Sequence, residues 1–176
     1  MKIMIGLALA ASLVAGSAFA EAQNPAKLND LEMAHVAYTA DNIDIRYAHL
    51  ALAISTNPKI HDFANAMIKD HTAVNLQALA LLKKLKASPQ NNFLSKQLTE
   101  QSVKLINEMK QLRGAEFDKR YASNELTYHK AVNNLVEKTF IPNADNSEVK
   151  QLFKAGLVIF KGHEVHADNM VHSLNK

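Results

Sequence analysis

The chain has 176 residues, a formal net charge of +3, 48% hydrophobic residues, and neither Cys nor Trp. So small a charge, with no basic cluster or RNA-binding motif, argues against nucleic acid as a partner. The lack of Cys excludes disulfides, thiolate metal sites, a Cys nucleophile and a lipid-bearing Cys; five Gly and four Pro leave little for phosphate-cradling loops or a turn-dense β fold.

Residues 1–20 read MKIMIGLALAASLVAGSAFA: a positive start at Lys2, an apolar run, then Ala18-Phe19-Ala20 before Glu21. This order predicts a secretory signal peptide cleaved after Ala20, and so a periplasmic protein. Later in the chain there is no second apolar stretch long enough to span a membrane, so the processed protein is expected to be soluble. Residues 21–28 are expected to be a flexible tail and residues 29–174 a single helical domain.

Breaks at Asn57-Pro58, Ser88 to Asn92, Arg113-Gly114 and Ile141 to Asn146 divide that domain. Asn57 suits a helix cap with Pro58 in the first turn, and Ser147 suits the cap of the last helix. Between the breaks, apolar residues recur at intervals of three and four, as in Val36, Ala40, Ile43, Tyr47, Leu50 and Ile54. The pattern predicts helices at about 29–56, 58–87, 93–112, 114–140 and 147–174. Four are long and amphipathic. The piece at 93–112 is shorter and more polar, and suits a crossover. The fold class predicted is all-α, an antiparallel four-helix bundle with an extra shorter crossover helix.

Helical wheels then locate ionisable residues on apolar arcs. Asp44 lies among Val36, Ile43 and Tyr47. His71 lies between Met67 and Val74, with Asp70 at the edge. Asp118, Glu125 and His129 share an arc with Phe117, Tyr121 and Tyr128. His163 sits near the centre of the last arc, flanked by Glu164 and His166. Counting from the turns sets Asp44 level with Asp70 and His71, and Glu125 level with His163; whether the two levels coincide depends on the crossover. Buried charges are paired or bound to metal. Inward carboxylates and imidazoles from four helices are what a bundle metal site requires. Asp44, His71, Glu125, His129, His163, Glu164 and His166 are the candidate metal ligands. Asp70, Asp118 and Tyr128 are candidate partners that orient them. Oxygen and nitrogen donors without sulfur suit Fe, Mn, Zn or Cu. The Glu-x-x-His pattern of di-iron bundles occurs only at Glu32-Met33-Ala34-His35, where His35 points to the polar side.

The same groups have a metal-free reading, a hydrogen-bonded network that fixes helix register in a structural or interaction protein of the cell envelope. A small ligand held between the helices on the Tyr121, Tyr128 and Phe160 side is a third reading. No hydrolase motif is present, and the reading does not extend to enzymatic turnover.

Several pieces together resemble a known family: Asp44 to Leu52, Asn57-Pro58, Phe63-Ala64, Met67 to Thr72, Phe117-Asp118 with Tyr121 and Glu125, Tyr128-His129, and Gly162-His163-Glu164 with His166-Ala167. They resemble the domain of unknown function 4142, a bacterial family of exported proteins labelled "predicted outer membrane protein" and grouped with ferritin-like bundles. The resemblance covers about residues 30–174. It implies a ferritin-like bundle in the cell envelope with no assigned activity. The helical periodicity is at odds with an outer-membrane barrel, which needs alternating strands.

Overall fold

The computed structural model describes residues 24–176, so the expected signal peptide and its cleavage site lie outside the described residues. Those residues form helices and turns, with no strand among them. The five main helices are α1 (Asp30–Ile54), α2 (Pro58–Lys84), α3 (Phe93–Met109), α4 (Gly114–Leu135) and α5 (Ser147–Leu174). A π-helical turn, Val136–Phe140, and a last turn, Ile141–Asn143, prolong α4. Of the stretch 21–28 read as a tail, residues 21–23 lie outside the described residues, Pro25–Lys27 form a 3-10 turn, and Leu28 is buried beside Met33 and Phe140.

Local chemistry sets the helix starts. The Asn29 side chain accepts from the N–H groups of Leu31 and Glu32, while Glu32 reaches back to the Asn29 N–H. Each bond satisfies a first-turn donor that has no partner within the helix. Asn57 caps α2 ahead of Pro58, and Asn92 with Ser95 closes the same kind of reciprocal cap on α3. The cap of α5 is Asn146 rather than Ser147. Its Oδ1 accepts from Glu148 and Val149, which leaves Ser147 as the first helical residue. No side chain caps α4. It starts instead at Gly114 with φ +54°, a conformation glycine adopts without strain.

Packing follows from the stripes. α1 pairs with α2, α4 with α5, α2 with α5, and α1 with α4. Side-chain contacts give the directions. Asp41 meets His71 across α1 and α2, Ser55 meets Asp118 and Ala40 meets Tyr128 across α1 and α4, and Asp70 meets His163 across α2 and α5. With Ser55 meeting His61, Val74 lying beside Gly156, and His129 and Asn133 meeting His163 and Phe160 across α4 and α5, each pair is antiparallel. α3 lies against α1 and runs parallel to it, joined by Asn92 Nδ2 to the Glu32 carbonyl (3.0 Å) and by Arg46 Nη2 to Ser102 Oγ (2.9 Å).

Two apolar regions fill the interior. One contains Ile43, Tyr47, Phe63, Met67, Phe117 and Tyr121; the other contains Met33, Val36, Phe140, Phe153 and Leu157. Between them, at mid-length of the long helices, lies a buried band of ionisable side chains.

Candidate metal centre

Each of the four long helices contributes to this band. α1 supplies Asp41 and Asp44, three residues apart on one face. α2 supplies the adjacent pair Asp70 and His71. α4 supplies Glu125 and His129, four apart and stacked. α5 supplies His163. Asp44 and Glu125 are fully buried, and His71, His129 and His163 nearly so.

Asp44 is at the centre. Its Oδ2 lies 3.3 Å from His71 Nε2 and 3.3 Å from His129 Nε2. One nitrogen from each of His71, His129 and His163 lies within 4.8 Å of the other two; Asp44, Glu125 and His129 make a second group within the same span. A void of about 10 Å3, the size of a single water, touches Asp44, His71 and His129.

The outer contacts of the imidazoles set their tautomers. His129 Nδ1 faces the Glu125 backbone carbonyl at 2.9 Å, and a carbonyl only accepts, so Nδ1 carries the hydrogen. His71 Nδ1 donates to Asp41 Oδ1 (2.9 Å), and His163 Nε2 donates to Asp70 Oδ2 (3.0 Å). The remaining nitrogens are His71 Nε2, His129 Nε2 and His163 Nδ1, all buried without a hydrogen-bond partner. Both Asp44 oxygens and Glu125 Oε2 are in the same state. Six buried atoms of one cluster therefore turn inward without a hydrogen-bond partner, and a donor exists among them only where His71 or Glu125 holds a proton. Leaving such groups unsatisfied costs roughly 1–3 kcal/mol each.

Electrostatics divides the cluster. Burial opposes charging His71, but Asp44 and Asp41 outweigh it and hold its pKa above the usual value. Burial depresses His129, and Asp44 only partly compensates. Burial likewise brings His163 down to about 4, against the hydrogen bond it donates to Asp70. Burial, reinforced by the Asp44 charge, pushes the Glu125 carboxyl well above the usual carboxylate range. Asp41 is also raised by burial, with His71 pulling the other way.

Of the residues singled out from the sequence, the structure brings together Asp44, His71, Glu125, His129 and His163, and sets Asp70 behind His163. The other four lie elsewhere or make other contacts. Glu164 Oε2 accepts from Asn133 Nδ2 (2.9 Å) rather than joining either group of candidate ligands. His166 is exposed, its ring edge-to-face with Phe63 at a centroid distance of 5.0 Å. Asp118 accepts from Ser55 Oγ (2.6 Å) and pins α4 to the α1–α2 turn. The Tyr128 hydroxyl donates to the Ala40 carbonyl (3.1 Å), not to an imidazole. Sequence reasoning missed Asp41. Its signal was its place three residues before Asp44, which sets it over the same face one turn away.

Residues 15–170 match the family model described as "Domain of unknown function (DUF4142)". That is most of the chain, so the protein belongs to this family. No curated protein and no solved structure matches it.

Proposed function

We propose that the protein binds one divalent transition-metal ion per chain at the centre of the helices, held by His71, His129, His163 and Asp44, with Glu125 alongside. One observation carries the reading. Each imidazole turns one N–H outward, to Asp41, to a backbone carbonyl and to Asp70, so the inward atoms of the cluster offer lone pairs once His71 and Glu125 give up their protons. A set of convergent lone pairs with fixed tautomers suits a cation, and carboxylates behind imidazoles are the usual second layer of such sites. Nitrogen and oxygen donors without sulfur suit Fe, Mn, Zn or Cu as divalent ions.

The helix directions support a ferritin-like four-helix bundle, with α1–α2 and α4–α5 as its hairpins and α3 as the crossover. The donor set differs from the carboxylate-rich di-iron pattern. Three imidazoles and a single water-sized void favour one ion over two. One buried ion per chain suits buffering or a stress response better than bulk storage. The leader pattern of residues 1–20 supports export to the periplasm.

Purification without a chelator or affinity tag, followed by elemental analysis and titration calorimetry, tests the proposal. Near-stoichiometric metal is expected in the wild type, with loss in His71→Ala and in His163→Ala and retention in His166→Ala. Unchanged affinity in the first two variants would sink it.

A second reading rests on the His71 imidazole lying between Asp41 and Asp44, at 2.9 and 3.3 Å. A proton on that ring makes an ion-paired network with no metal, as in a structural protein of the cell envelope. Both variants would then lose roughly 3–5 kcal/mol of stability, and chelators would change nothing.

A further inference from the structure

We infer that an apolar chamber beside the cluster admits a small neutral molecule of dioxygen size and leads it to the proposed metal position. The destination rests on the metal reading above; the occupancy of the chamber does not. The chamber lies among α1, α2, α4 and α5 on the Phe153 side of the cluster, with a free volume of about 50 Å3. At roughly 10–15 Å3 per water it holds a few waters or one molecule of very few heavy atoms. Drug-sized ligands need several hundred Å3 and do not fit.

Carbon dominates its walls, through Val74, Leu82, Val136, Leu157 and Phe160. Polar side chains enter only as Tyr38, Asp41 and Asn133, and two of these already have partners. Asp41 Oδ1 accepts from His71, and Asn133 Nδ2 donates to the Phe160 carbonyl and to Glu164. The chamber is partly open to solvent, but an ordered water needs two to four polar partners, so a lining of this kind favours apolar atoms such as xenon. An ion entering here would lose its hydration with nothing in return.

Shared walls set the chamber directly beside the cluster. Asp41, Val132, Asn133 and Phe160 line both the chamber and the small void at Asp44, His71 and His129. Small residues keep the space open, among them Ala37, Ala78 and Gly156. A Cβ on Gly156 would already stand 3.4 Å from the Phe160 ring, which is itself stacked on His71 at 4.3 Å.

The test uses the full chain. Metal-free crystals under xenon pressure should show a xenon atom against Val74, Leu157 and Phe160; no xenon there would overturn the inference. Nitric oxide, a neutral diatomic, then probes the route in iron(II)-loaded protein through the rise of the nitrosyl absorbance. Ala37→Leu, whose added isopropyl group fills the chamber, should lose xenon and slow nitric oxide binding by about tenfold at unchanged iron(II) affinity. Ala78→Leu serves if that variant fails to fold. Loss of xenon with an unchanged nitric oxide rate would overturn the route. Failure to bind iron(II) at all, seen in the titration, would overturn the destination, while xenon in the metal-free protein still decides the chamber.

Discussion

Loading the metal-free protein should release protons, and the structure sets their number. An ion at the centre needs a free lone pair on each imidazole. His129 and His163 supply theirs at no cost near pH 7, because burial holds both below the ordinary imidazole value, His163 at about 4. His71 is different. Burial alone would lower it, but Asp44 and Asp41 hold its pKa above 6.5, so just below neutrality it carries a proton the ion must displace. Burial and the neighbouring Asp44 also favour the protonated form of Glu125, and a divalent cation alongside would reverse that. The expected release is therefore between about one and about two protons per ion at pH 6.5.

The sign follows directly. Protons compete with the metal, so affinity rises with pH up to the folded-state values of His71 and Glu125, then levels off. Each displaced proton is worth about tenfold in affinity, or about 1.4 kcal/mol, per pH unit. With both displaced the gain approaches about 100-fold per unit. Titration calorimetry with Zn2+, which has no redox chemistry, measures the number as the slope of observed heat against buffer ionisation heat. Glu125→Gln should lower the count toward one. Tight binding with no proton release would refute the reasoning, because it would place the ion away from His71. A release of three or more would mean that His129 or His163 is charged in the metal-free protein, against the cost of its burial.

Two further substitutions separate the metal reading from the metal-free network. Asp70→Ala removes the acceptor that holds the His163 ring; Asp70 is partly exposed, so the chain should stay folded while metal affinity falls about 10–100-fold, measured by competition with a chromogenic chelator. Asp44→Asn puts an amide donor where a carboxylate now faces two imidazole lone pairs at 3.3 Å. Above the pH at which His71 loses its proton, urea unfolding of the metal-free variant should show a gain of about 1 kcal/mol and metal binding should be lost. A loss of roughly 3–5 kcal/mol there would mark a buried ion pair as the true state.

The helices were legible because apolar residues recur at the helical period between clear breaks, and because asparagines and prolines mark the starts. The cluster was partly legible for a related reason. An ionisable side chain on an apolar arc has nowhere to go but inward, and Asp44, His71, Glu125, His129 and His163 all met that condition. A wheel gives direction around the axis, however, and neither neighbour nor height. His166 lies on the flank of its arc, and its exposure in the folded protein shows that it faces outward. Asp118 points inward but two turns before Glu125, about 10 Å along the helix, level with Ser55.

Whether the two polar levels coincide was the question sequence left open, and α3 answers it. α2 ends near the start of α1. Had α4 begun there as well, it would have run parallel to α1 from the same end, and nothing would have matched Glu125 to Asp44. Instead α3 carries the chain back along α1 for 17 residues, about 25 Å, and delivers α4 to the opposite end. α4 then descends antiparallel to α1, with Asp118 beside Ser55 and Tyr128 beside Ala40. That register sets His129 against Asp44, and the α4–α5 hairpin returns His163 to the same height. The least core-like of the five helices, with only Ser95, Ser102 and Met109 buried, contributes no ligand, yet its length determines that two separate pairs of buried charges become a single site.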